Sequence, residues 1–198
     1  WLENSISTQK IIRDLGIASQ HITTLVTAIK SHVHMDRSSD LQPTNVHQDI
    51  ENVLTLMNHK LKQKKIVVHK KFDATLRNVP AYVGELNQVW SNIIDNAIYA
   101  LPPGGELKIE TAHSDEFLLV SITDTGSGIP KEIINRIFEP FFTTKKMGEG
   151  TGIGLDLVKR VIEHHHGEVK VQSTPGHTKF DISIPLHAIT PTNQTPTA

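Results

Sequence analysis

The 198-residue chain predicts an α+β fold, a two-layer α/β sandwich preceded by a long helix. Three observations carry this reading. Apolar residues recur at helical spacing within 15–33, 50–61 and 86–101. They alternate with polar residues at strand spacing around 66–72, 107–111, 118–122 and 180–184. Two glycine clusters within residues 124–155 bracket a proline-punctuated segment too rich in glycine for ordinary core. The length allows one ordinary domain with an appendage, enough to bury a real core.

The formal net charge of -1 gives no electrostatic reason to expect a nucleic acid or an anionic membrane as partner. No cysteine is present, which excludes disulfides and thiolate metal sites and fits a reducing compartment. No apolar run approaches the roughly 20 residues that span a bilayer. The expectation is a cytoplasmic chain, whatever membrane attachment the full-length protein has.

In chain order, Leu15, Ala18, Ile22, Leu25, Ile29 and Val33 form a heptad-like seam. Such a helix packs either on its own domain or in a hairpin shared with a second copy. The polar break at 36–43, read as a linker, favours the second. A second helical pattern follows with Ile50, Val53, Leu54, Met57 and Leu61, then a solvated lysine run and a strand over 66–72.

The helix over 85–101 sets Leu86, Val89, Trp90, Ile93, Ile94, Ala97 and Ile98 on one face and Gln88, Asn92 and Asn96 on a polar stripe at spacings of four. Asparagine competes for backbone hydrogen bonds and is poorly suited to helix interiors, so its repetition asks for a reason. The stripe is either merely solvated or offers an oxygen ligand to Mg²⁺, a hard cation that takes few protein ligands beside phosphates and water. Pro102, Pro103, Gly104 and Gly105 end the helix, and two strands follow.

Asp124 shares the parity of Leu118, Val120 and Ile122, so an unbroken pleat turns its carboxylate into the covered face of the sheet. A buried carboxylate needs a partner, and an adenine amino group is a suitable donor. Thr178 shares the parity of Phe180, Ile182 and Ile184 and is expected to meet Asp124 in the same pocket. The glycines Gly148, Gly150, Gly152 and Gly154 run into a helix bearing Leu155, Val158, Val161 and Ile162, and the free backbone N–H groups at its start suit phosphate. The chain contains neither the G-x-G-x-x-G fingerprint nor a P-loop. The run His164, His165 and His166 before Gly167 reads as a helix end capped by glycine, because adjacent helical side chains diverge by about 100° and cannot all converge on one ion.

Four separated motifs together resemble one family. Residues 92–97 (NIIDNA) are similar to its N box, 124–130 (DTGSGIP) to its first glycine box, 137–142 (IFEPFF) to its F box and 148–155 (GEGTGIGL) to its second glycine box. In this order they are those of the sensor histidine kinases, within the superfamily that includes gyrase, a heat-shock chaperone and mismatch-repair ATPases. The resemblance covers residues 44–186 and implies a mixed sheet covered on one face by helices, with a lid over ATP and Mg²⁺. It implies that Asn96 ligates Mg²⁺ with Asn92 assisting, that Asp124 accepts from the adenine amino group, and that Gly126 and Gly128 shape that pocket.

The lid then spans about residues 129–151, beginning at Ile129, with Phe138 and Phe141 anchoring it, Thr143 and Thr144 along it and Lys145 as the phosphate contact. Asn92 and Lys145 are thus the candidate catalytic pair. Gly148, Gly150, Thr151, Gly152, Ile153, Gly154 and Leu155 bring the backbone to the phosphates, and Thr178 lies beside adenine. The implied organisation is 1–37 as part of a dimerisation hairpin, 38–187 as the ATP-binding catalytic domain and 188–198 as a disordered tail.

The chain departs from the family pattern in two places. Many members carry lysine three residues after the second N-box asparagine, where this chain has Tyr99, so one phosphate contact must come from elsewhere or be absent. No phosphoacceptor box surrounds His21, His32 or His34, so the acceptor histidine is expected on an upstream segment of the same protein. The implied partners are that histidine, a response-regulator receiver domain and a second copy bound through the first helix. Two other readings stand beside this one. A superfamily clamp that hydrolyses ATP carries a glutamate where Asn92 stands, and a noncatalytic nucleotide-binding module would explain Tyr99.

Overall fold

The computed structural model describes residues 41–82, 84–146 and 149–187. The helix expected in 1–37, its dimer seam, Gly148 and the tail 188–198 lie outside the described residues.

The chain enters through a short strand, β1 (Gln42–Thr44), and a helix, α1 (Val46–Leu56), whose N-cap Asn45 accepts a hydrogen bond from the Gln48 N–H at 3.1 Å. The single helix expected across 50–61 is broken at Met57, and α2 (Asn58–Gln63) follows. β2 (Val67–Lys71) and β3 (Val79–Ala81) precede α3 (Glu85–Ala100). Then come β4 (Glu106–His113), β5 (Phe117–Asp124), a long turn-rich segment, α4 (Gly154–His164), β6 (Glu168–Thr174) and β7 (His177–Pro185).

Five strands form one mixed sheet in the order β2-β4-β5-β7-β6, with β2 parallel to β4 and the other pairs antiparallel. β1 and β3 pair separately, and each is only three residues long. β1 starts within the polar stretch read as linker, and neither strand is long enough to show a period.

The pleat segregates the sheet. Leu107, Ile109, Leu118, Val120, Ile122, Ile182 and Ile184 are buried in one core with the apolar faces of α1, α3 and α4, while Leu119 and Phe117 are partly exposed on the other side. Val89, Trp90 and Ile94 of α3 have no exposed surface, as the 3.6-residue period requires. This is the α+β architecture expected, with helices against one face of a mixed sheet.

The end of α4 differs from expectation. The left-handed residue is His166 (φ 56), not Gly167. His166 N–H bonds to the Glu163 carbonyl and Gly167 N–H to that of Ile162, the paired bonds of a Schellman turn. A Cβ on Gly167 would collide with the Ser183 carbonyl, so glycine here serves close approach.

Candidate nucleotide site

The polar stripe of α3, the end of β5, the start of β7 and the segment before α4 enclose a cavity of about 470 Å³. At one end lies Asp124, 4% exposed and paired in register with Thr178, also 4% exposed. The Gly126 N–H donates to Asp124 Oδ1 at 2.8 Å, and among the described residues nothing donates to Oδ2. Burial pushes the Asp124 carboxyl above its usual range, opposed by the Gly126 bond and the nearby His177 charge. Such a carboxylate is an acceptor still short of a donor.

Ser173 belongs to the same end. Its hydroxyl lies 2.9 Å from Thr178 Oγ1 and accepts from the Ile129 N–H at 2.8 Å, tying the start of the turn-rich segment to the sheet. Sequence reasoning missed Ser173, although it shares the parity of Val169 and Val171 and pairs in register with Thr178.

At the other end stand the asparagines. Asn92 Nδ2 donates to the Gln88 carbonyl at 2.8 Å, and its Oδ1 faces the start of α4, where a Cβ added to Gly154 would lie 2.5 Å away. Asn96 Oδ1 accepts from Lys145 Nζ at 2.9 Å. The Asn96 oxygen is therefore aimed at a position that already holds a cation, which fits a hard divalent ion held by an amide oxygen. Burial lowers the Lys145 pKa from its ordinary value, with the charge of Asp95 the strongest opposing influence. The ammonium lies 4.5 Å from the centroid of the Tyr99 ring, and Tyr99 Oη donates to Glu149 Oε2 at 3.3 Å.

Between the ends, Gly128, Ile129, Thr143, Thr144, Gly150, Thr151, Gly152, Gly154 and Leu155 line the cavity, whereas Ile153 is buried and does not. Gly152 has φ +69 and passes so close to the Phe141 backbone that a Cβ has no room. Phe141 is itself left-handed (φ 65) and 67% exposed, so it does not anchor the segment. The anchors are Ile137, 7% exposed, with Phe138 and Phe142 packed on the core and Arg136 over the Phe142 ring. The motif's apolar periodicity does not tell adjacent Phe141 and Phe142 apart. The left-handed turn at Phe141 decides which ring faces inward.

The first residues of α4 have no side-chain cap, leaving their N–H groups directed at the glycine-rich approach. This end suits an anion.

The histidine run closes on itself elsewhere. Glu85, His164 and His165 bring ligand atoms within 4.8 Å of one another, closer than helical divergence suggested. His165, however, has Nδ1 2.8 Å from the Val161 carbonyl, and its Nε2 accepts from the Tyr82 N–H at 3.2 Å. His164 Nδ1 lies 3.0 Å from Glu85 Oε2, and its ring stacks on Tyr82. Both nitrogens of His165 are committed to backbone, so the cluster is a structural knot between α4 and the start of α3.

A family model described as histidine kinase-, DNA gyrase B- and HSP90-like ATPase matches residues 82–188. Among curated proteins, the chain is 34% identical over 143 residues to sporulation kinase C of Bacillus subtilis (strain 168), covering 71% of this chain and 33% of that protein. It is 35% identical over 153 residues to the signal transduction histidine-protein kinase AtoS of Escherichia coli (strain K12), covering 76% and 25%. The chain thus spans a third or less of the length of these relatives. Among solved structures, the nucleotide-free catalytic domain of histidine kinase ThkA superposes with TM-score 0.68 at 29% identity, covering 74% of this chain and 98% of that one. ThkA in complex with response regulator protein TrrA gives TM-score 0.67 at 25% identity, covering 85% and 49%.

Proposed function

The chain belongs to the family of histidine kinase-, DNA gyrase B- and HSP90-like ATPases, and we propose that it is the ATP-binding catalytic part of a two-component sensor histidine kinase, passing the γ-phosphate of MgATP to a histidine outside this chain. The observation that carries this reading is the polarity of one cavity. A buried acceptor short of a donor, Asp124, lies at one end, and an amide oxygen already facing a cation, Asn96, lies at the other.

In this reading Asp124 Oδ2 accepts from the adenine amino group, Thr178 borders the base, and Gly126 and Gly128 shape its pocket. The glycine-rich approach and the start of α4 bind phosphate oxygens through backbone N–H groups. Asn96, with Asn92 beside it, would hold Mg²⁺, whose charge neutralises the phosphates when it is bound. Lys145 adds a second positive charge. As the acceptor nitrogen forms its bond to phosphorus, the bond from phosphorus to the departing ADP oxygen breaks, and the proton on the other imidazole nitrogen passes to a base that comes with the acceptor.

Asn92 favours transfer over hydrolysis. An amide whose nitrogen is bound to the Gln88 carbonyl has no basic atom with which to activate water. The phosphoacceptor belongs to an upstream segment, the dimer to the first helix, and the next recipient is a response-regulator receiver domain, the kind of partner seen with ThkA. No described helix is long and apolar enough to cross a membrane, and a cytoplasmic setting is proposed.

The test mixes the chain with radiolabelled MgATP and a separately made fragment carrying the upstream helix. Acid-labile, base-stable label on that fragment is the expected result. Steady release of free phosphate with no label would favour a hydrolytic clamp.

A further inference from the structure

Lys145 is held in an unusual way for a partly buried cation. Its Nζ donates to Asn96 Oδ1 at 2.9 Å and lies 4.5 Å from the Tyr99 ring centroid. Both partners are neutral. Asp95 and Glu149 act on it only through space, and among the described residues it forms no ion pair. A cation held by an amide oxygen and a ring keeps more of its charge than one paired directly with a carboxylate.

The support is built from one helix face. Tyr99 follows Asn96 by three positions, so the two side chains stand side by side on α3. The Tyr99 hydroxyl is bound to Glu149, so the same ring touches the turn-rich segment on both sides of Met147 and Gly148. The attraction of a cation to a ring face is enough to select one position for a flexible lysine.

We propose that Tyr99 is a positioning residue whose ring holds Lys145 above Asn96, so that its charge meets the nucleotide phosphates in place of a cation that α3 itself lacks at position 99. The proposal rests on the ATP reading. MgATP takes over the Asn96 oxygen, and Lys145 turns from that oxygen to phosphate with the ring still beneath it.

The experiment titrates the full chain calorimetrically with MgATP and, separately, follows adenosine by NMR. Tyr99→Leu should weaken MgATP about fivefold or more, while adenosine affinity stays within about twofold, because adenosine has no phosphate for Lys145 to meet. Tyr99→Phe keeps the ring and should stay within about twofold of the unaltered chain for MgATP. Lys145→Met should reproduce the Leu loss, and the double variant should be no weaker than Lys145→Met alone. Unchanged MgATP affinity in Tyr99→Leu, additive losses, or an equal loss for adenosine would overturn the positioning role. If the unaltered, folded chain binds no MgATP, the ATP reading fails and takes this proposal with it. Binding by that chain with an indifferent Tyr99→Leu variant removes the positioning role alone.

Discussion

Asp124 and Thr178 face each other across β5 and β7 as register partners, and both are 4% exposed. A carboxylate and a hydroxyl so placed occupy positions the same pleat elsewhere fills with Ile122, Phe180 and Ile182. Two polar groups in one inward register cost stability unless they are hydrogen-bonded, and among the described residues Asp124 Oδ2 has no donor.

Asp124→Asn is therefore expected to keep the fold, because the amide oxygen can still accept from the Gly126 N–H. The Asp124 pKa is raised on folding, so the stability tied to it is complete below the unfolded-state value of about 3.9 and is lost as pH rises through the folded value. At neutral pH the variant should melt no lower than the original. Its ATP affinity should fall about 10- to 100-fold, the worth of a hydrogen bond to a charged group. Calorimetric titration beside a thermal melt checks both, and unchanged affinity would remove the adenine assignment.

Asn96→Ala should remove the dependence of nucleotide binding on Mg²⁺. The original chain is expected to bind ATP more tightly with Mg²⁺ than with EDTA, and the variant equally under both conditions. A variant that keeps the Mg²⁺ gain would move the metal to another ligand.

Gly154 opens α4 directly opposite Asn92, whose Oδ1 would lie 2.5 Å from an added Cβ. Gly154 has no positive φ, so Gly154→Ala is not strained by its backbone and the asparagine must move instead. The expected outcome is a melting temperature within a few degrees of the original, with MgATP binding weakened about tenfold. A wholesale loss of structure would show that the glycine serves packing and not the site.

His165 and His47 both have their pKa lowered by burial. The unfolded chain therefore takes up more protons than the folded one below about pH 6.5, and stability present above that pH is lost as pH falls toward the folded values. His165 can contribute up to about 1.4 kcal/mol per pH unit in that window, and the less buried His47 contributes less because solvent screens its charge. Denaturant melts from pH 7.5 to 5 should show the decline. His165→Gln should be less stable at pH 7.5 yet show a shallower slope, and an unaltered slope would assign the effect to other groups.

The legible parts of this molecule follow a period. Asp124 and Thr178 could be placed inward because a pleat alternates without exception along eight or nine residues. Asn92 and Asn96 could be placed together because α3 runs 16 residues without a break. Short or irregular pieces carried no such signal. β1 and β3 have three residues each, and the choice of Phe142 over Phe141 as anchor depends on one left-handed turn.

By itself, then, the sequence determined the α+β layering, the inward carboxylate, the asparagine stripe and the four ordered boxes, all of which are written in local spacing. Tertiary structure alone decided that Lys145 sits on Asn96, 49 positions away, with Tyr99 beneath it, and that Ser173 joins Thr178 at the base end. The physical reason is reach. Periodicity states which way a side chain points from its own element, whereas a contact across the cavity depends on where a second element has been carried by the packing of the core.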